Sequence, residues 1–161
     1  YITEGQIVLG RELDRKGVNP PVAVLPSLSR LMNEGTGKGF THADHPALAH
    51  QLFAAYARAT RLRVLASVMG EEGLPETDRK FLAFGDAFEA RLVHQDEPRT
   101  LEESMDIGWS LLRMLPTVEL SRLSAPQIER YIERGAAEAD APRPASEPGR
   151  PEGEAERGDH G

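Results

Sequence analysis

Three short stretches of this chain carry residue types that could do chemistry. Gly35-Thr36-Gly37-Lys38-Gly39 has the glycine content and the lysine of a phosphate-binding loop. Its spacing does not fit one. A loop ending on Gly37-Lys38 needs glycine at position 32 and a hydroxyl residue at 39, where this chain has Met32 and Gly39. A hinge or contact loop is the better reading. Thr41-His42-Ala43-Asp44-His45 offers two imidazoles and a carboxylate, which are metal ligands by type. No further cluster of His or Cys completes a site, so no metal is expected, and helix capping and subunit contact account for Asp44 and His45. The third is Arg30, within Ser27-Leu28-Ser29-Arg30-Leu31-Met32. A guanidinium on an irregular loop, beside small hydroxyl residues, can be an anion ligand with planar, bidentate geometry toward phosphate oxygens. It can equally be one half of a structural salt bridge. The local sequence leaves both open.

The elements that must position these residues are legible from periodicity. Ile2 to Leu9 ends in the short apolar run Ile7-Val8-Leu9, followed by the charged segment 11–16, and reads as a buried strand. Such a strand needs neighbours, and no other strand is evident, so an N-terminal part of the domain is expected to be missing. Residues 17–40 read as a long irregular connection in which Pro20, Pro21 and Pro26 forbid a helix. A structureless stretch of that length is usually functional. The pattern then turns helical. Leu48, Leu52, Ala55, Tyr56, Ala59, Leu62, Leu65 and Met69 mark one face of a helix of about 25 residues, started by Thr41 or Asp44 with Pro46 in its first turn and closed by Gly70. A second helix fits residues 76–93, with Phe81, Phe84, Phe88 and Leu92 as a core stripe. Thr100 and Glu103 form a capping box opening a third helix, which Pro116 ends and whose Trp109 reads as core. Ser124 and Gln127 open a short fourth one.

Composition narrows the function classes. The 161 residues carry a net charge of −7, and the stretch 135–161 holds seven acids against three arginines, with no Val, Ile, Leu, Met or aromatic. That acidic, Pro/Gly-rich tail is expected to be disordered. An acidic chain without a basic stripe argues against a nucleic-acid binder. The absence of cysteine removes disulfide, thiolate-metal and thiol-nucleophile chemistry. No apolar run reaches the length of a membrane span, and no signal peptide opens the chain, which points to a cytoplasmic setting.

Residues 1–9 (YITEGQIVL), Lys16-Gly17 and the string Pro20 to Asn33 (PPVAVLPSLSRLMN) resemble the B subunit of the V/A-type rotary ATPases. The likeness continues through Asp44-His45, residues 51–57 (QLFAAYA), Gly70-Glu71, Phe88-Glu89, residues 106–109 (DIGW) and Leu115-Pro116, and covers about 1–134. The Leu-Pro-Ser-Leu-Ser-Arg-Leu-Met string at 25–32 is its most specific part. The resemblance implies a mostly α fold: a C-terminal helical bundle domain of a rotary ATPase head subunit, preceded by the last strand and interface loop of an α/β P-loop-type nucleotide-binding domain. Residues 1–40 would be the end of that domain, 41–134 the helical domain, and 135–161 the tail.

It further implies a non-catalytic subunit of a proton- or sodium-translocating ATPase or ATP synthase, peripheral on the membrane and touching it only through the ion-translocating sector. Its implied partners are the A subunit, in an alternating hexameric head, and the central rotor stalk. No cofactor would be bound by this chain alone; ATP or ADP with Mg would sit at the A/B interface. Arg30 would reach that nucleotide in trans as an arginine finger, with Ser27, Ser29, Asp44 and His45 as loop support or interface. The sequence departs from the family pattern at Ala23, where Asp or Asn is usual, and at His42-Ala43, where Arg-Glu is common. The alternative is a helical assembly module in which the loop arginine is purely structural.

Overall fold

The computed structural model describes residues 4–32 and 34–135. The expectations for residues 2–3 and for the tail beyond Gly135 fall outside that range, while Gly135 itself still continues the last helical turns. The order is β1 (Gly5–Gln6), α1 (Arg11–Arg15), β2 (Leu28–Ser29), α2 (His45–Met69), α3 (Glu76–Phe88), α4 (Leu101–Leu112) and α5 (Ala125–Gln127). Single 3₁₀ turns lie at Glu71–Gly73 and Thr117–Glu119. π-Helical turns extend α3 over Glu89–Val93 and α5 over Ile128–Glu133.

The long α2 is the centre of the bundle, and its expected apolar face packs as far as Leu62, while Leu65 and Met69, expected on the same face, are 46% and 52% exposed where α2 runs past its cover. Leu48, Leu52, Ala55, Tyr56, Ala59 and Leu62 are all buried. α3 crosses α2 with Phe81, Phe84 and Phe88, and Tyr56 stacks on Phe88 at 4.5 Å between ring centroids. α4 completes the core with Met105, Trp109, Leu111 and Leu112. Two glycines let the helices approach. A Cβ at Gly85 of α3 would lie 2.8 Å from the Ala59 Cβ, and one at Gly108 of α4 would lie 3.0 Å from Leu52 Cδ1. Gly70 ends α2 at φ 81°, a conformation that favours glycine, with its N–H on the Ala66 carbonyl at 2.8 Å. The Thr100–Glu103 capping box forms as expected: Glu103 N–H donates to Thr100 Oγ1 at 3.1 Å, and Thr100 N–H donates to Glu103 Oε2 at 2.7 Å.

The N-terminal segment differs from its expectation in two respects. It is not without a neighbour: β1 pairs antiparallel with β2, Gly5 opposite Ser29 and Gln6 opposite Leu28, and Leu9 bridges Val22. Nor is it buried, since Ile7 is 77% exposed and Leu9 65%. The physical reason is register. Two residues separate Gln6 from Leu9, but five separate Val22 from Leu28, so the second strand bulges outward between its two paired ends. The stretch that reads as an irregular connection therefore supplies the missing partner strand.

Candidate functional site

The bulge is what positions Arg30. Residues 24–27 make a tight turn, with Ser27 N–H on the Val24 carbonyl at 3.2 Å. The Ser27 hydroxyl locks it on both sides: it donates to the Ala23 carbonyl at 2.7 Å and accepts from Val8 N–H at 3.0 Å. Gln6 Nε2 donates to the Pro26 carbonyl at 3.0 Å. The chain leaves this turn directly into β2, where Ser29 lies exposed opposite Gly5. Arg30 follows, its N–H held by the Glu4 carbonyl at 2.8 Å. Its backbone is thereby fixed while its side chain stays 60% exposed, and its Nε stands 3.9 Å from the equally exposed Glu4 carboxylate. An ion pair of that length and exposure contributes little, so the guanidinium can exchange it for another anion.

Asp44 and His45 start α2, though Asp44 does not cap it. No hydrogen bond runs from its side chain to the helix N–H groups. Its carboxylate accepts instead from Gln127 Nε2 and the Tyr131 hydroxyl, both at 2.7 Å, tying the α5 end of the chain to the start of α2. Burial acts to raise the Asp44 pKa, but those two donors, with the nearby His42 and Arg130, outweigh it and hold it below the usual value. Burial, with the bond to Asp44, pushes the Tyr131 phenol up to about 12. Gln127 serves twice, because its Oε1 accepts from Ser124 N–H at 2.9 Å as the expected cap of α5. His45 Nδ1 lies 3.0 Å from Thr41 Oγ1, which also accepts from Gly37 N–H at 2.7 Å. The glycine-rich loop is thus folded back on Thr41 in successive turns. Burial lowers the His45 pKa, helped by the charge of His42.

Ser27, Ser29 and His45 share one groove of about 620 Å³ between the two-stranded sheet and the bundle, walled mainly by apolar side chains including Leu48, Phe53 and Met105, with Gln6, His50 and Ser104 as further polar lining. Arg30 and Asp44 do not line it. Among the described residues, no three His, Asp or Glu side chains converge to hold a metal ion, and no helix is long and apolar enough to cross a membrane.

Residues 34–132 match the family described as the C-terminal domain of V and A type ATP synthase. The chain belongs to the V/A-type ATP synthase family. It is 60% identical over 133 residues to the B subunit of the A-type ATP synthase of Methanopyrus kandleri, covering 81% of this chain and 13% of that protein. It is 53% identical over 134 residues to the V-type ATP synthase beta chain 2 of Treponema pallidum, covering 82% of this chain and 28% of that one. The chain therefore spans well under a third of these relatives. The fold is similar to that of an ATP synthase subunit, NeqB, from Nanoarcheaum equitans, with a TM-score of 0.66, 38% identity, and coverage of 72% of this chain and 29% of that one. This V/A-type domain keeps the expected mostly helical build, with the two-stranded hairpin at its N-terminal side.

Sequence reasoning missed one polar centre in this V/A-type domain. Glu89, only 4% exposed, begins the π turn after α3. Its carboxylate accepts from the Tyr56 hydroxyl at 2.8 Å, from Lys16 Nζ at 2.8 Å, and from Arg63 Nη1. Burial acts to raise its pKa, but the three donors outweigh that and keep it low and ionised. A signal was present: Leu82, Gly85, Glu89 and Val93 form a second stripe at helical spacing beside the phenylalanine stripe. An acid on such a stripe is buried and must be paired.

Proposed function

We propose that this domain serves the non-catalytic B subunit of a V/A-type rotary, ion-translocating ATPase or ATP synthase, and that Arg30 acts in trans on ATP held by a neighbouring A subunit. One observation carries the reading: Arg30 has a fixed backbone and an exposed guanidinium held only by a long ion pair with Glu4. The hairpin and the Ser27 clamp set where the side chain starts, and the weak pair with Glu4 leaves its head available. Phosphoryl transfer spreads negative charge over the equatorial oxygens of the γ-phosphate, and a trans-supplied arginine stabilises it by about 10³–10⁵ in rate. Because the arginine comes from another subunit, an outward shift of the hairpin by an ångström disarms the site, linking turnover to subunit geometry. On this reading the nucleotide, its magnesium, the phosphate loop and the base belong to the A subunit.

Exposed apolar surface supports the partners. Ile7 and Leu9 offer a face on which the remainder of a full-length B chain packs. At the far end of α2, Val64 is 67% exposed and Val68 84%, which suits contact with the central rotor stalk. The second reading, an assembly module with a structural arginine, rests on the Arg30–Glu4 pair at 3.9 Å. ATP hydrolysis by a reconstituted A/B head with Arg30→Lys in the full-length B chain separates them, with assembly checked by size. Collapse of turnover by about 10³-fold or more in an intact complex supports the trans role. Full turnover leaves Arg30 as a structural contact.

A further inference from the structure

Among the described residues, the directional bonds that join the Arg30-bearing segment to the helical bundle fall on one short stretch, residues 89–95. Three directional contacts converge there. Lys16 Nζ donates to Glu89 Oε2 at 2.8 Å, Asn19 N–H donates to His94 Nδ1 at 2.9 Å, and Gln95 N–H donates to the Asn19 carbonyl at 2.7 Å. Leu13 and Val18, with the partly buried Val22, Val24 and Leu25, add apolar packing, which is non-directional and holds the segment on the bundle without fixing its register. The same Glu89 carboxylate is gripped from the other side by Tyr56 and Arg63 of α2.

From Lys16 the path to Arg30 is stiff. Gly10 N–H on the Pro21 carbonyl and Ala23 N–H on the Val8 carbonyl, each 2.8 Å, zip the hairpin toward the Ser27 clamp and the Arg30–Glu4 bond. The π turn is itself notable, because the extra residue costs helix regularity, and such turns concentrate where a side chain must be aimed. Here it aims Glu89 between α2 and Lys16.

The geometry points to Glu89 as a positioning residue, which through Lys16 fixes the Arg30-bearing segment to α2 and α3, so that displacement of the bundle is delivered to Arg30. This rests on the trans role proposed for Arg30 and adds the part that sets its place. No contact between Glu89 and nucleotide is implied.

The test uses the full-length B chain in the assembled A/B head. Lys16→Gln is the first variant, because the lysine is half exposed and its loss leaves the buried Glu89–Arg63 pair intact; Glu89→Gln is the second. Backbone amide exchange of residues 18–30 is expected to rise in Lys16→Gln while α2 is unchanged. Turnover is expected to fall about tenfold, part of the hundredfold that an ångström of misplacement can cost. In an Arg30→Lys background the same variant should bring no further loss. Unchanged exchange in residues 18–30 overturns the inference, as does an equal turnover loss in both backgrounds. If Arg30→Lys alone leaves turnover intact, the trans role fails and the amide exchange alone decides whether the anchor exists.

Discussion

Gly85→Ala tests whether α2 and α3 meet at backbone contact. The new Cβ would lie 2.8 Å from the Ala59 Cβ and 3.3 Å from Arg63 Nη2. The guanidinium ends a flexible side chain and can yield. Ala59 Cβ cannot, since it is fixed to the backbone and fully buried. Alanine in place of glycine favours a helix by up to about 1 kcal/mol. Overpacking a filled core costs about 1–3 kcal/mol, and the upper part of that range applies because neither methyl has a rotamer to escape into. The balance is a loss of about 1–2 kcal/mol in urea unfolding of the full chain. With a slope of about 2 kcal/mol/M, the midpoint should drop by about 0.5–1 M. In an Ala59→Gly background the clash is gone, and Gly85→Ala should instead stabilise by up to about 1 kcal/mol. The same sign in both backgrounds, or a gain in stability with Ala59 present, refutes the close-packing argument.

Other consequences are as direct. Asp44→Asn should cost about 1–2 kcal/mol at pH 7, by weakening the bonds from Gln127 and Tyr131. Because the folded pKa of Asp44 lies below its ordinary 3.8, this stabilisation is present above that value and lost as pH falls through the folded pKa. The two chains should therefore converge in denaturation midpoints measured in strong acid. Tyr56→Phe removes one of the three donors to buried Glu89 and should cost about 1 kcal/mol, read as a lower thermal midpoint. Arg99 donates to the Arg91 and Leu92 carbonyls at 2.6 Å each, closing the end of the α3 extension. Arg99→Ala should cost about 1–3 kcal/mol in chemical denaturation, and Arg99→Lys should recover only part of it, since a point charge does not reproduce the fork.

What is legible in the sequence is what local physics decides. The boundaries of α2 follow from Pro46 and Gly70, and the Thr100–Glu103 and Ser124–Gln127 caps from contacts three residues apart. The phenylalanine stripe of α3 follows from helical spacing. The misses all involve distant partners. Asp44 looks like a cap, but its carboxylate is claimed by residues 83 and 87 positions downstream. β2 is hidden because its pairing depends on the Ser27 hydroxyl closing a turn between Ala23 and Val8, which proline counting does not reveal. Ile7 and Leu9 read as buried from hydrophobicity alone, although burial also needs a layer to cover them. The burial of Glu89 is signalled by its place on a second helical stripe, but its partners are not, because its donors come from residues 16, 56 and 63. Of the candidate site, local residue types single out Arg30 as a candidate without deciding its role, whereas the Ser27 hydrogen bonds that fix its backbone are not legible.

Stabilisation of the transition state in a neighbouring subunit is the role given to Arg30. Its most direct test is the affinity of an assembled A/B head for Mg-ADP-aluminium fluoride, a mimic of the transferring phosphoryl group, against its affinity for ATP. The two are compared for Arg30 and Arg30→Lys in the full-length B chain. The expected result is a loss of about 10³-fold or more for the mimic, with ATP affinity changed less than about tenfold, because the interaction is made in the transition state and not the ground state. Equal losses for both ligands, or no loss for either, would contradict that role.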